Sequence, residues 1–381
     1  MKRIVLPFLI VSLCMQSAVA QNARFSQVFS APMQLNPSLA GRFDGKVRVT
    51  SLFSFQQTLL NNGPVYSSMN HQNISFDIKL GHYRASGDDN QIADNGKENK
   101  VSTKEAKDVV GNNNPNGYWA AGATFYHYGH SSNPMDASFY SVSLARHFYN
   151  KSNKFYGFGA QATYATGCLD NTRGANYDIE ISGGGFRYPT ASPTTSNGAG
   201  HYVDFSVGGY YGMVTEPVMF EIGAALNNFH YPNNSLVGDK ESELRHRVTV
   251  DGLLRLKLNP KWGIVMKTIY WHDGLYLNSK KPDSDSLYPH AFWSGIEFYK
   301  INPLSPYNIN FGLYTRNFLS LIPYISINAT QYANIRYTYE YPLNQGSVVK
   351  FVPYRHEVAA IFTLKRNTAP GTKFYKKLNY W

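Results

Sequence analysis

Hydrophobic and polar residues alternate with a period of two along much of the chain. The apolar Val47, Val49 and Phe53 alternate with polar side chains, and the same alternation runs through residues 71–80 and 246–258. A strand with this pattern has one apolar face and one polar face. Several alternating stretches are about ten residues long, which is the length of a tilted strand that crosses a bilayer. The pattern therefore predicts membrane-crossing β-strands.

The alternation and the intervening turn residues predict fourteen strands. They lie at residues 46–55, 71–80, 118–128, 138–148, 154–166, 201–212, 217–226, 246–258, 261–271, 290–299, 307–316, 320–328, 333–341 and 355–364. An even number of strands is typical of bacterial outer-membrane barrels. A sheet of this size in a membrane must close, because an open edge leaves unpaired N–H and C=O groups in hydrocarbon. The predicted fold is all-β: a transmembrane antiparallel up-and-down β-barrel of about 14 strands with long extracellular loops.

The connections between the predicted strands are uneven in length. If both ends of the barrel chain face the periplasm, the outward loops include the long segments 167–200 and 227–245, whereas most inward turns are short. Long loops outside and short turns inside are the outer-membrane barrel pattern. The exception is the inward segment 81–117, which is rich in Asn, Asp and Lys. We predict a disordered surface insertion there, with a periplasmic docking element as the alternative.

The first twenty residues have the features of a secretory signal peptide. Two basic residues precede an apolar stretch (4–15), and residues 18–20 form a small-residue cleavage site, so cleavage is expected before Gln21. The mature chain then keeps one cysteine, Cys168, and forms no intramolecular disulfide. We divide the chain into the signal peptide (1–20), an N-terminal segment (21–44), the barrel (45–365) and a basic C-terminal tail (366–381).

Composition and charge exclude several other classes of protein. The 381 residues carry 36 Lys and Arg against 25 Asp and Glu, a net charge of +11, and the mean hydropathy is -0.36. That hydropathy is too polar for a bundle of membrane helices, and no apolar run after the N-terminus reaches the roughly 18 residues that a spanning helix needs. An aromatic content of 15% argues against a disordered chain. Because no run rich in Lys and Arg exceeds a few residues, nucleic acid is not an expected partner.

The polar faces of the predicted strands carry both signs of charge. The residues concerned are Asp77, Lys79, Asp251, Arg255, Lys257, Lys267, Glu297, Arg336, Glu340 and Glu357. In a barrel of this size they face the lumen, and a diffusion pore usually concentrates one sign at a constriction. Mixed signs can pair with one another or with a segment folded into the lumen. We therefore expect a blocked or narrow lumen.

The aromatic residues are a second indicator of the membrane. Trp119, Trp262, Trp271 and Trp293, together with many tyrosines, suit the aromatic girdles at the two membrane interfaces. The alternative is ordinary strand packing, because aromatic residues favour strands in any case.

Motifs that would carry chemistry are missing from the sequence. His127 and His130 are three apart, but in a strand or turn they do not share a face, and no third ligand is near. The sequence has no G-x-S-x-G, no Walker loop and no C-x-x-C, and Cys168 has no recognisable catalytic neighbours. We therefore predict no catalytic, metal or cofactor residues. The alternatives to a structural role are a channel for small solutes and an outer-membrane enzyme such as a lipid hydrolase.

The residues after the signal peptide resemble the opening of a known family. They include Phe25-Ser26-Gln27, then Pro32, then Leu35-Asn36-Pro37-Ser38-Leu39-Ala40-Gly41. This is similar to the PorP/SprF family of Bacteroidetes outer-membrane proteins, which begins with an "FSQ…NPxxAG" segment and continues as a barrel. Two departures stand out. The family commonly has Ala-Tyr or a similar pair where this chain has Ser38-Leu39, and its members tend to end with the last strand, whereas a basic tail follows here.

The resemblance implies a non-enzymatic barrel of the type IX secretion system in the outer membrane, linked in some members to gliding. It implies as partners the periplasmic lipoproteins and ring proteins of that system and a secreted surface adhesin, besides outer-membrane lipid, and it implies no cofactor. Four residues are carried over as a partner-docking or structural motif: Asn36, Pro37, Ala40 and Gly41. Asn-Pro sets an extended turn, and glycine permits tight backbone geometry.

Overall fold

Fourteen long strands wrap into one closed sheet in the computed structural model of the protein. The structure describes residues 25–59, 66–80, 117–130, 135–149, 153–169, 180–182, 185–187, 199–215, 217–230, 232, 244, 246–259, 261–275, 290–300, 308–330, 332–343 and 354–364. The signal peptide, most of segment 81–117 and the tail 366–381 lie outside these residues, and so do the predictions made for them. Among the described residues, no helix is long and apolar enough to pass through a membrane.

All fourteen predicted strands are confirmed. The barrel strands are β1 (Val47–Leu59), β2 (Tyr66–Leu80), β3 (Gly117–His130), β4 (Met135–Tyr149), β5 (Lys154–Leu169), β8 (Ala199–Thr215), β9 (Val218–Asn227), β10 (His246–Lys257), β11 (Trp262–Leu275), β12 (His290–Lys300), β13 (Ile309–Arg316), β14 (Ser320–Asn328), β15 (Ala333–Pro342) and β16 (Tyr354–Leu364). A small hairpin that the sequence did not predict, β6 (Glu180–Ser182) and β7 (Gly185–Arg187), lies in the connection between β5 and β8.

The largest boundary difference is at the start of β2, which begins five residues earlier than predicted. There the ladder continues through polar pairs such as Gln57 with Ser68 and Thr58 with Ser67. Both strands carry polar residues at successive positions in this part, so the alternation that marks a strand with one apolar face disappears. Backbone pairing continues nevertheless, because it does not depend on side-chain polarity.

Each barrel strand pairs antiparallel with its neighbour along the chain, and β5 pairs with β8 past the small hairpin. The last strand closes the sheet on the first, with Val47 opposite Leu364 and Gln57 opposite Tyr354. The predicted up-and-down barrel is therefore confirmed, and closure satisfies the main-chain groups that an open edge would leave bare in lipid. The end at which β1 begins and β16 finishes is referred to below as the inner end, and the opposite end as the outer end.

The two faces of the wall have opposite polarity. On β1, Val49 and Phe53 point outward and are 37% and 50% exposed, whereas the alternating Arg48 and Thr50 point inward and are buried. An apolar exterior and a polar interior are expected of a barrel in lipid. The predicted direction of the charged residues is also observed, since Asp77, Asp251 and other charged members of that set are buried inside.

The tryptophan prediction is wrong for two residues, and for the other two it stays a prediction with which their exposure agrees. Trp119 and Trp262 are 49% and 38% exposed on the outer face of the wall, as interfacial residues would be. Trp271 and Trp293 instead lie inside and are buried. The reason is that the inner face of β11 and β12 is partly apolar and forms a hydrophobic core around Phe29 of the N-terminal segment.

The N-terminal segment lies within the barrel. Residues 25–44, called the luminal segment below, fold into a short 3-10 turn (Val28–Ser30), a one-turn α-helix (Pro32–Leu35) and a second 3-10 turn (Pro37–Leu39). Nearly all of its side chains are buried, and they contact inward-facing residues on many strands. The segment therefore occupies the lumen, as the mixed charges of the wall had suggested.

Candidate functional site

Asn36 is the residue that joins the luminal segment to one side of the wall. Its Oδ1 accepts hydrogen bonds from the backbone N–H of Ser38 (3.0 Å) and the Ser38 hydroxyl (2.6 Å), which caps the second 3-10 turn. Its Nδ2 lies 3.2 Å from the carbonyl of Gly209, 3.3 Å from that of Ala224 and 3.3 Å from Oδ1 of Asp251. One amide group thus orders the turn and contacts β8, β9 and β10.

The turn that follows Asn36 presses closely on the wall. Pro37 occupies the first position of the 3-10 turn, where its ring fixes the required φ and no N–H is lost. Two glycines, Gly159 and Gly208, lie opposite this turn in the wall. A Cβ at Gly208 would collide with Asn36 Oδ1, and a Cβ at Gly159 would lie 2.5 Å from the nitrogen of Ser38. The wall is therefore shaped to the backbone of the motif.

Ala40 and Gly41 bind further strands of the same part of the wall, β4, β3 and β2, through their main chains. The carbonyl of Ala40 accepts a hydrogen bond from Nε2 of His147 on β4 (2.7 Å), whose Nδ1 then accepts from the hydroxyl of Tyr210 (2.6 Å). The N–H of Gly41 donates to Asp77 on β2 (2.7 Å), and its carbonyl accepts from Tyr118 on β3 (2.8 Å).

Gly41 is required by two features of this position. Its φ is +73°, in the left-handed region that residues with a Cβ avoid. In addition, a Cβ here would collide with the side chain of Ala120 on the wall. The glycine therefore permits both the turn toward β1 and the close approach of the segment to β3.

Arg42, directly after the motif, forms a buried ion pair with Glu221 on β9. The guanidinium also lies over the rings of Phe155 (4.6 Å to the centroid) and Tyr210 (5.3 Å). Burial by itself would lower the pKa of Arg42, but Glu221 together with Tyr210, Tyr149 and Tyr118 outweighs that effect and holds the pKa above its ordinary value. The guanidinium is therefore charged at any physiological pH, and both members of the pair are buried.

The other end of the luminal segment is held by carboxylates near the outer end. The two oxygens of Glu357 accept from the backbone N–H groups of Ser26 (2.6 Å) and Gln27 (2.7 Å). The Ser26 hydroxyl donates to Glu340, which also pairs with Arg316 at 3.2 Å. Next to them the ring of Phe29 packs on that of Trp293, with centroids 4.9 Å apart.

The structure thus brings the four predicted site residues, Asn36, Pro37, Ala40 and Gly41, into one buried turn in the inner half of the lumen. Their structural role is evident from the contacts above, and the prediction that they bind a partner stays a prediction. In the part of the chain that the structure describes, no group of three His, Cys, Asp or Glu residues is arranged to hold a metal ion.

Sequence reasoning missed the residues that hold this turn, namely Arg42, Tyr118, His147 and Glu221. A signal for Arg42 was present, because a cation directly follows the motif in a chain whose strands carry acidic residues on their polar faces. For the other three, strand phase would have indicated a luminal direction, but not which part of the luminal segment each contacts.

Comparison with known proteins gives one extensive sequence match. The family described as "Type IX secretion system membrane protein PorP/SprF" matches residues 17–362. Among curated proteins, none matches this sequence.

Solved structures give similarities of shape at low identity. The translocator domain of the autotransporter NalP from Neisseria meningitidis is 12% identical, with a TM-score of 0.40 over 89% of this chain and 96% of that one. The Ralstonia pickettii toluene transporter TbuX is 10% identical, with a TM-score of 0.46 over 88% of this chain and 94% of that one. Similarities at this level say nothing of what this chain binds or carries.

Proposed function

This chain belongs to the PorP/SprF family of type IX secretion system membrane proteins, and we propose that it is a non-enzymatic component of type IX secretion or gliding machinery. In this proposal it docks periplasmic ring partners and supports the secretion or surface attachment of a cargo adhesin. It is an outer-membrane protein, as its closed barrel and its family both indicate. The barrel is therefore surrounded by outer-membrane lipid.

The observation that carries the proposal is the occupied lumen. The luminal segment contacts β2, β3, β4, β8, β9 and β10 through residues 36–41 and contacts β15 and β16 through Ser26 and Gln27. Its side chains are buried from Phe25 to Phe43 with the exception of Gln34. A lumen occupied in this way argues against a wide diffusion pore and supports binding at the two rims and through the loops.

The partners are assigned by side of the membrane. The inner end, where most connections are short and from which the basic tail continues in the sequence, would face the periplasmic lipoproteins and ring proteins. The outer end carries the connections between β5 and β8 and between β9 and β10, which would hold or guide the adhesin. Asn36, Pro37, Ala40 and Gly41 enter the proposal as candidates for partner binding, which requires a partner segment that reaches into the lumen from the inner end.

Gene deletion tests the proposal. Loss of the chain is expected to remove at least one type IX cargo protein from the cell surface, and expression of the intact chain is expected to restore it. Affinity purification from detergent-solubilised envelopes is expected to recover periplasmic components of the same secretion system. Normal surface delivery of every type IX cargo in the deletion strain would contradict the proposal.

Planar bilayer recording separates the proposal from its alternative, a channel for small solutes. The purified intact chain is expected to be electrically silent because the luminal segment fills the lumen. A steady open-pore current from the intact chain would favour the channel.

An enzyme of the lipid-hydrolase type would instead show activity that a single Ser or His substitution removes.

A further inference from the structure

The luminal segment is bound to the barrel in the way that a ligand is bound. Its main-chain to main-chain hydrogen bonds are internal, for example Asn36 N–H to Pro32 O (2.9 Å) and Arg42 N–H to Leu39 O (3.0 Å). Among the described residues, no main-chain to main-chain hydrogen bond joins 27–43 to a strand. The hydrogen bonds between the segment and the wall described above each use a side chain on one partner or the other. The β1–β16 ladder that closes the sheet contains no residue of the segment.

The wall by itself is too wide to fill its own lumen. Barrels of about 8 strands are filled by their side chains, and those with about 16 to 18 leave an aqueous channel. This barrel has 14 strands, and its inner face is largely polar. Without the segment, Asp77, Glu221 and Glu357 would lose partners, but each would then face water that can hydrate it. Loss of the segment would also expose the apolar part of the inner face of β11 and β12 to water. We expect the closed wall to persist around a hydrated lumen nevertheless, because its ladder is complete without the segment.

The segment is also attached at an accessible place. Lys46, between the segment and β1, is exposed at the inner end, and Asp44 and Gly45 are partly exposed. Only this short link continues the segment into the wall. A cut there would leave every side-chain contact of the segment in place.

From these observations we propose that the barrel is a peptide-closed pore: residues 25–44 are a peptide ligand held in cis, and the lumen binds the same peptide when it is supplied in trans. This goes beyond the proposed secretion role and does not depend on it. Recognition combines main-chain contacts, made by Glu357, His147, Tyr118 and Asp77, with the Arg42–Glu221 ion pair. The ligand class is therefore a short peptide with the turn of the motif and a cation directly after it.

The test uses the full chain with a protease site inserted between Asp44 and Lys46. The protein is folded, cut and recorded in planar bilayers, then washed with mild denaturant at a concentration at which the barrel keeps its folded mobility on gels. The cut protein is expected to be silent before the wash and to conduct after it. A synthetic peptide of residues 21–45 is expected to block the current. The matched control is the same peptide with Gly41→Val, expected to need at least a tenfold higher concentration.

Each other outcome overturns the proposal. If the cut segment leaves only when the barrel itself unfolds, the segment is part of the fold and is not a ligand. If it leaves and no current appears, the wall does not enclose a pore. If the current appears and both peptides block it equally or not at all, the lumen has no site for this peptide. A second variant that lacks residues 25–43 is expected to conduct without proteolysis or a wash and to be blocked by the same peptide, and a silent folded variant would overturn the proposal.

Discussion

At the scale of single residues, Gly41 has the most demanding conformation in the luminal segment. The left-handed backbone alone makes Gly41→Ala cost about 1–2 kcal/mol of unfolding free energy, and the collision with Ala120 adds to it. Urea unfolding of the barrel in lipid vesicles measures the loss. The control is Gly252→Ala, where a Cβ would meet its nearest atom at 4.0 Å and a change within about 0.5 kcal/mol is expected. Equal losses for both variants would contradict this account of Gly41.

Arg42 and Glu221 form a buried ion pair, so their contributions to stability depend on each other. Arg42→Met removes the cation that pairs with the buried Glu221 carboxylate, and we expect a loss of about 3–5 kcal/mol. Glu221→Met is expected to be similar, whereas the double variant removes both charges and is expected to be more stable than either single one. The same urea titration measures all three, with the exposed Lys46→Met as the control. Additive losses would mean that the two groups do not interact as the structure has them.

At the scale of elements, the phase of each strand decides whether a residue faces lipid or lumen. Trp119 and Trp262 face outward, and Trp271 and Trp293 face inward. In single-tryptophan variants within brominated lipid, fluorescence of the first two is therefore expected to be strongly quenched and that of the second two to be little affected. Quenching of Trp293 to the same degree as Trp119 would show that the phase of β12 is wrong.

The luminal segment explains why two strands depart from the simple rule of polar inward faces. β11 presents Val265, Ile269 and Trp271 to the lumen, where Phe29 and its neighbours cover them. Strand phase places Trp271 on the face of Lys267 and Trp293 on the face of Glu297, both of which were predicted to face the lumen. What the pattern could not supply is the apolar partner of these tryptophans, because Phe29 lies more than two hundred residues earlier in the chain.

At the scale of the whole molecule, the direction of the barrel in the membrane remains a prediction. In a Cys168→Ser background, a cysteine at His230, which is exposed just past β9 at the outer end, is expected to react with an impermeant maleimide on intact cells. A cysteine at Lys261, exposed between β10 and β11 at the inner end, is expected to react only after permeabilisation. The opposite labelling pattern would reverse the assignment of partners to the two rims.

The sequence alone determined the strands, their faces and the need for closure. These follow from local chemistry, because a strand in lipid must alternate and a sheet in lipid must leave no main-chain group unpaired. It also marked Asn36, Pro37, Ala40 and Gly41, since a residue before proline and a glycine in a turn are constrained by their own backbones.

Tertiary structure alone decided where the marked residues lie and what holds them. Arg42 and Glu221 are 179 positions apart, and their meeting depends on the register of every strand between them and on the closure of β1 on β16. No local sequence pattern encodes the combined effect of all these strand registers. The burial of Trp271 and Trp293 in one core with Phe29 has the same origin, because a side chain takes its surroundings from whatever the closed barrel encloses.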